Sequence, residues 1–447
     1  MAEAADNPRL VIDAEAAAGA IASVLRDQHP ADVAAAIEDL PADKLRDVLL
    51  ELPADMSADV LMDLDEHARV AMLEELPVSE IAAIAAELPS DDAADVIGSL
   101  GDERREDVLA ALAADDRRDV ERLLAYTDES AGGIMASELV FVSEDDTVDR
   151  AIDVLRAAAE EVEGVHYVYV TDARRRLVGV VPLQAAALAR PGTKVSDVML
   201  TDVVTVTTGM DQEDVAEVFR KYDLVAVPVV DPSGVLIGRI TVDDIIDVIH
   251  EEAEEDISLM AGTREEELHE DSALKVSRIR LPWLVIGALG GLGSATVMHF
   301  FQLSLERVLA LAFFIPVITA MGGNVGLQTS TIIVRSMRTE HGVSGEASKR
   351  LVREWRIALT NAVILGVSVH LIVGLWLGDW RLAAVVGGSL AAVILVAATL
   401  GTVMPFALKR VGVDPAVAQG PFVTTLNDII GILVYLGLAS AFIERLA

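Results

Sequence analysis

Two stretches constrain this chain more than any other: Phe314–Met337, FIPVITAMGGNVGLQTSTIIVRSM, and Gly420–Gly431, GPFVTTLNDIIG. Both sit inside long apolar segments, and both carry polar groups where a bilayer-spanning helix should have none. The uncharged run from Val308 to Val334 is 27 residues long, more than the ~20 a membrane helix needs. Gly322, Gly323, Asn324, Gly326, Gln328, Thr329, Ser330 and Thr331 lie in its middle. The run from Pro415 to Ile443 holds one charge, Asp428, nearly midway between Asp414 and Glu444. A carboxylate at mid-bilayer costs about 2.5–3.5 kcal/mol on insertion scales, so it is by default functional and faces a wet interior. The bland alternative is a buried acid hydrogen-bonded to another helix. A helix interrupted by glycines beside a central acid points to an ion pathway.

Charge divides the chain in two. Of its 72 acids and 35 Lys or Arg, residues 276–447 hold eight and 13, which leaves 64 and 22 in residues 1–275. An acidic soluble half of net −42 therefore precedes a membrane half of net +5. Such a surface excludes nucleic acid as a partner. It suits divalent cations. The competing reading is adaptation to a salt-rich cytoplasm, since the acids are spread everywhere and only six Lys stand against 29 Arg. With no Cys there is no disulfide framework and no thiol chemistry. The start, MAEAADNPRL, is acidic and lacks an apolar core, so residues 1–27 are expected to be a plain amino-terminal segment with no cleaved secretion signal.

Residues 28–136 carry an internal repeat. Leucine recurs every 12 residues at Leu40, Leu52, Leu64, Leu76, Leu88, Leu100, Leu112 and Leu124, and Pro follows at Pro41, Pro53, Pro77 and Pro89. Between these breaks lie short amphipathic segments such as DKLRDVLLEL. Pro is tolerated at a helix start and not inside one, so it sets the boundaries. The pattern predicts an all-α superhelical stack in which each unit buries its stripe on its neighbours, a binding or sensing surface.

From 137 the period changes. VHYVYVTD and LVGVVPL are strand-like and alternate with the helical DTVDRAIDVLRAAAEE; the pattern returns as EDVAEVFRKYD, LVAVPVVDPSG and VLIGRITVDDIIDVI. The turns at Asp172-Ala173-Arg174 and Asp231-Pro232-Ser233-Gly234 join paired strands. The tandem resembles a pair of CBS domains, one over 137–200 and one over 201–255. Thr241 and Asp244, in GRITVDD, are similar to the residues that hold ribose and phosphate in nucleotide-binding members. The resemblance thus implies ATP or another adenine nucleotide at the second repeat. The first repeat, GVVPLQ, lacks that Asp.

Residues 244–275 read as one long acidic helix loosened at Gly262, and 256–280 as the connecting helix between the halves. Asp247, Glu251, Glu254 and Glu255 fall three and four apart, and like charges so placed repel. A divalent cation such as Mg²⁺ would relieve that repulsion; a solvated charge run is the plainer reading. His250-Glu251 starts no zinc-protease motif, because residue 254 is Glu.

Five runs of span length follow within 281–447: Leu281–Leu305, Val308–Val334, Ile357–Gly378, Leu382–Leu408 and Pro415–Ile443. Arg278, Arg280, Arg335, Arg338, Lys349, Arg350, Arg353, Arg356, Lys409 and Arg410 fall on one side, and Arg307, Arg381 and Arg445 on the other. That asymmetry puts the acidic half in the cytoplasm and the carboxyl terminus outside the cell membrane, with lipid around a multi-pass domain. Gly287, Gly290, Gly291 and Gly293 follow no strand, so they predict close helix packing and no phosphate loop.

Helical stack, CBS pair, acidic connector and five spans, in this order, resemble the MgtE family of magnesium channels and transporters over essentially the whole length. The most specific pieces are Pro316 followed by Gly322-Gly323-Asn324-Val325-Gly326-Leu327-Gln328, and the fifth-span PFVTTLNDIIG. The resemblance implies Asp428 as the pore ligand for hydrated Mg²⁺, with Gly431 and Thr424 at the same site; Asn324 and the glycine backbone would supply neutral oxygens there or simply let helices approach closely. It implies sensor acids that close the pore when cytosolic Mg²⁺ is high: Asp243, Asp247, Glu251, Glu254, Glu255 and Asp256, Asp414 before the fifth span, and Asp91, Asp92 and Asp95 on the helical stack. It also implies a homodimer with one central pore. Two other functions fit the fold: a carrier coupling a divalent ion to H⁺ or Na⁺, with Asp428 titrating, and a membrane-anchored nucleotide sensor. An enzyme is excluded, since no nucleophile–base set, catalytic metal cluster or phosphate loop is found.

Overall fold

The computed structural model describes residues 17–38, 40–159, 162, 164–263, 272–339 and 346–442. It divides into two units, residues 1–251 and 252–447. MAEAADNPRL, the acids within 264–271 and Arg445 lie outside the described residues.

The first unit opens with nine short described helices: α1 (Ala18–Leu25), α2 (Pro30–Ile37), α3 (Ala42–Leu50), α4 (Ala54–Asp63), α5 (Glu66–Glu75), α6 (Val78–Ala85), α7 (Ser90–Gly98), α8 (Asp102–Ala111) and α9 (Ala114–Leu123). The repeating Pro sits one residue earlier than a first-turn position: Pro41, Pro53, Pro77 and Pro89 are the N-caps themselves. The repeating leucines Leu52, Leu64, Leu76, Leu100 and Leu112 are buried. Helices pack chiefly on the helix two along, α1 on α3 on α5 and α2 on α4 on α6 on α8. One 12-residue repeat is therefore half of a structural unit, and alternate repeats build two layers. The stack starts ahead of residue 28, because Ile21 and Leu25 of α1 belong to the same core.

Two small three-stranded sheets follow. The first runs β1 (Phe141–Ser143), α10 (Val148–Ala158), β2 (Tyr167–Thr171), β3 (Leu177–Pro182) and α11 (Leu183–Leu188). The second repeats it as β4 (Val206–Thr207), α12 (Gln212–Tyr222), β5 (Ala226–Val230), β6 (Leu236–Thr241) and α13 (Val242–Ala261). In each the outer strand is parallel to the middle one and the hairpin partner antiparallel. The hairpins close on aspartates: Asp172 accepts from Arg174 and Arg176, and Asp231 from Ser233 and Val235. The two CBS repeats also exchange a backbone pair, Arg176 with Val235. Val215, Val227, Ile240, Ile245 and Val248 of the second repeat share one core with the helical stack, whereas the first repeat has a core of its own. The stack and the second CBS domain are thus one packed body.

The long connector departs from expectation. α13 stops at Ala261, and Gly262 turns left-handed at φ +71°. Its N–H donates to Leu259, and the next N–H, of Thr263, reaches back to Ser258. These two bonds make a Schellman cap, so Gly262 ends the helix where the sequence suggested only a loosening. The next described helix begins at Ala273.

The second unit holds five helices long and apolar enough to cross a membrane, among the described residues. They are α14 (Ala273–Phe300), α16 (Ile315–Thr339), α17 (Glu346–Leu377), α18 (Trp380–Arg410) and α19 (Pro421–Ala441), with short α15 (Gln302–Arg307) after the first. α18 packs against α16, α17 and α19, and α14 packs against α19. α16 is one continuous helix through its glycines, which corrects the expected interruption. A helix survives Gly when neighbours pay its cost of about 1 kcal/mol by packing on the bare backbone. The buried Tyr435 hydroxyl donates to the Leu311 carbonyl at 2.9 Å and ties α19 to the segment entering α16.

Candidate functional site

In the first unit, acids far apart in sequence converge. Asp91 and Asp92 occupy the first turn of α7 and Asp95 the next. Asp91 is buried, and burial pushes its carboxyl well up, reinforced by Asp92, Asp244 and Glu138. Asp92 is pushed up to about 7, by burial first and then by Asp244 and Asp95, against the pull of Arg69. Asp95 reaches about 6 through burial and Asp128, although its tip meets water that screens it. From the second CBS domain, Asp244 and Asp247 are also raised, burial leading and Asp243 adding to each. Asp63 joins from the stack, raised by burial and by Asp59 and Asp247, while His29 opposes. Ser90 anchors the junction by donating to Glu138 at 3.0 Å and accepting from the Ser137 N–H at 2.9 Å.

The fold therefore joins Asp91, Asp92, Asp95, Asp243, Asp244 and Asp247. Sequence reading missed Asp63, Asp128 and Glu138, and Arg69 as the opposing cation. Asp63 had a signal, for an acid precedes the repeat leucine at Asp39, Glu51, Asp63, Glu75 and Glu87. No group of three or more acids among the described residues is close enough to clasp a bare metal ion. Glu251, Glu254, Glu255 and Asp256 continue along α13, away from this cluster in sequence. Thr241 and Asp244 do meet, but each other: Asp244 accepts from the Thr241 N–H at 3.0 Å and its hydroxyl at 2.8 Å, capping α13. Arg239 beside them is buried and donates to the Gly164 carbonyl at 3.1 Å.

In the second unit, α16 and α19 run together with glycine as the contact surface. Gly322, Gly323 and Gly326 face Asn427, Thr424 and Val423, and a Cβ on Gly326 would overlap Asn427. Gly290 and Gly293 of α14 face Thr425 and Ile429, whereas Gly287 and Gly291 face open space. Some polar side chains of the two helices reach the surface: Asn324 and Gln328 are exposed one turn apart on α16, Thr424 is exposed on α19, and Asp428 one turn on is half-buried, whereas Thr329 and Ser330 are buried. Gly431 is buried against Val393 of α18 and has only backbone to offer. Asp414 accepts from the Ala416 N–H at 2.6 Å and caps the turn of helix before Gly420. A Cβ on Gly420 would lie 3.4 Å from the Leu259 carbonyl, so the end of α13 abuts the start of α19.

A stack with a CBS pair, joined to five spans with an acid in the last, defines a multi-pass membrane protein of the ion-transport class. Family models agree: residues 315–438 match the divalent cation transporter model MgtE, 28–129 the MgtE intracellular N domain, and 131–189 and 195–251 the CBS domain. The magnesium transporter MgtE of Bacillus subtilis is 36% identical over 72% of this chain and 72% of its own. That of Thermus thermophilus is 39% identical over the same shares. The solved cytosolic domain of the Mg²⁺ channel MgtE in complex with ATP is 37% identical, covers 51% of this chain and 93% of its own, and aligns with a TM-score of 0.49. The chain belongs to the MgtE family of magnesium transporters, which are not enzymes.

Proposed function

We propose that this protein moves Mg²⁺ across the cell membrane as a channel, with Asp428 as the ligand that holds the hydrated ion. The observation that carries this is the polar surface of the membrane unit, half-buried Asp428 and exposed Thr424 on α19 and exposed Asn324 and Gln328 on α16, the helix packed against it. Polar groups at membrane depth avoid lipid and line water or protein. In a homodimer two such faces would meet around one path, and two carboxylates suit a divalent ion that keeps several waters. Gly431 would contribute backbone only. The positive-side asymmetry supports a cytoplasmic soluble half and an external carboxyl terminus. Mg²⁺ uptake into proteoliposomes tests the reading. Asp428→Asn and Asp428→Ala should each lower uptake by about tenfold or more; undiminished uptake removes it.

Regulation belongs to the acidic cluster. Asp91 Oδ1 is buried without a hydrogen-bond partner among the described residues, and the surrounding donors are all carboxylates, the hard ligands Mg²⁺ prefers. Since no three acids among the described residues converge on one point, such an ion would be held largely through its waters. Bound Mg²⁺ would offset the mutual repulsion of α7 and the start of α13. Glu251, Glu254, Glu255 and Asp256 would carry that influence along α13, and Asp414 beside Gly420 would receive it at the pore helix, biasing a two-state gate. ATP, if it binds, would use Thr241 and Asp244 after breaking the bond they share.

A further inference from the structure

Asn427, immediately before Asp428, is 2% exposed, and its side-chain nitrogen has no hydrogen-bond partner among the described residues. A buried donor left unmade costs about 1–3 kcal/mol. The amide lies in a notch made by missing side chains. A Cβ on Gly326 would overlap Asn427 Nδ2 and come within 3.1 Å of Val423. A Cβ on Gly322 would sit 3.8 Å from the Asn427 carbonyl oxygen. α18 closes the back of the notch: a Cβ on Gly401 would lie 2.5 Å from the Gly326 carbonyl oxygen, and Gly322 faces Val393 at 3.2 Å. α18 thus backs α16 at the level where Asn427 of α19 packs on Gly322 and Gly326. Successive helical residues point about 100° apart. Seating Val423 and Asn427 in the notch therefore turns Thr424 and Asp428 onto the adjoining face, where one is exposed and the other half-buried.

We infer that Asn427 is a positioning residue, whose amide, keyed against Gly326, fixes the rotation of α19 and so the direction in which Asp428 meets the ion. The inference rests on Asp428 as the pore ligand. Mg²⁺ demands near-octahedral geometry and gives up water reluctantly, whereas Ca²⁺ accepts irregular ligand sets. A carboxylate swung out of place therefore loses discrimination first.

The full chain in proteoliposomes gives the test, through the Mg²⁺ concentration for half-maximal uptake and the Ca²⁺ concentration that halves it. Asn427→Ala empties the notch and Gly326→Ala fills it. Each should lower the Ca²⁺-to-Mg²⁺ concentration ratio by about tenfold, and the double variant, in which a methyl refills the space, should return within about threefold of wild type. A merely structural role removes working molecules and shifts neither concentration. An unchanged ratio in Asn427→Ala, or a double variant no better than the product of the singles, overturns the inference. Should Gly326→Ala not assemble, Asn427→Ser reports the same ratio, and an unchanged value there is equally fatal. Asp428→Asn runs alongside. Loss of uptake there with an unchanged ratio in Asn427→Ala removes only the positioning role, while wild-type uptake removes the pore reading and this inference together.

Discussion

At the scale of single residues, α7 crowds three carboxylates together and takes Asp91 out of water. Asp92 titrates at about 7 in the folded protein, against about 3.9 in an unfolded chain. A raised acid means that folding takes up a proton between those two values. The folded state is therefore favoured most below about pH 4, loses stability as pH rises toward 7, and loses no more above it. Asp91 adds in the same direction, and Asp95 adds less because its exposed tip is screened. Without divalent ions, hydrogen exchange in α7 of the detergent-solubilised chain, corrected for intrinsic rates, should show more protection at pH 5 than at pH 7.5. Mg²⁺ at pH 7.5 should restore it, and Asp92→Asn should flatten the profile. Equal protection at both pH values would contradict the clustering. Asp91, Asp92, Asp95 and Asp243 were legible in the sequence only through family resemblance. Glu138 and Arg69 were not legible, because proximity between positions so far apart in sequence is made by the fold.

At the scale of elements, the sequence was informative wherever a local rule has one outcome. The leucine period, the Pro caps and the Asp-closed hairpins became the elements they suggested. Glycine has two outcomes, and there the reading failed. Gly262 ends a helix it was expected only to loosen, because its backbone turns left-handed; Gly322, Gly323 and Gly326 leave intact a helix they were expected to interrupt. What decides is how near the neighbouring helix comes, which no local pattern records. Two adjacent positions test this within one helix. A Cβ on Gly290 would overlap Thr425, whereas Gly291 has nothing within 4 Å. Gly290→Ala should destabilise the membrane unit by about 1–3 kcal/mol, as overpacking does. Gly291→Ala should be neutral or stabilise by about 0.5–1 kcal/mol, the helix cost of Gly relative to Ala. Thermal unfolding in detergent compares them, and equal effects would mean that α14 does not rest on α19 as described.

At the scale of the whole molecule, composition separated the acidic half from the membrane half, and hydropathy found all five spans, yet neither says which face of a span is wet. Exposure on the single chain does not distinguish them either: Asn324 and Gln328 on α16 are exposed, and so are Val363, Ile364 and Val367 on α17. Chemistry separates the two faces, since amides at membrane depth require water or protein and Val and Ile require neither. The chain contains no Cys, so single cysteines report accessibility without background. A charged thiol reagent reacts with the thiolate in water, and lipid suppresses both reagent and thiolate. Asn324→Cys and Thr424→Cys should therefore be modified and Val363→Cys spared, although all three sites are solvent-exposed in the isolated chain. Mg²⁺ should slow modification of the first two if their face is the ion path, both by occupying it and by closing the gate. Modification of Val363→Cys at a rate matching Asn324→Cys would place the water on α17 and move the path away from Asp428.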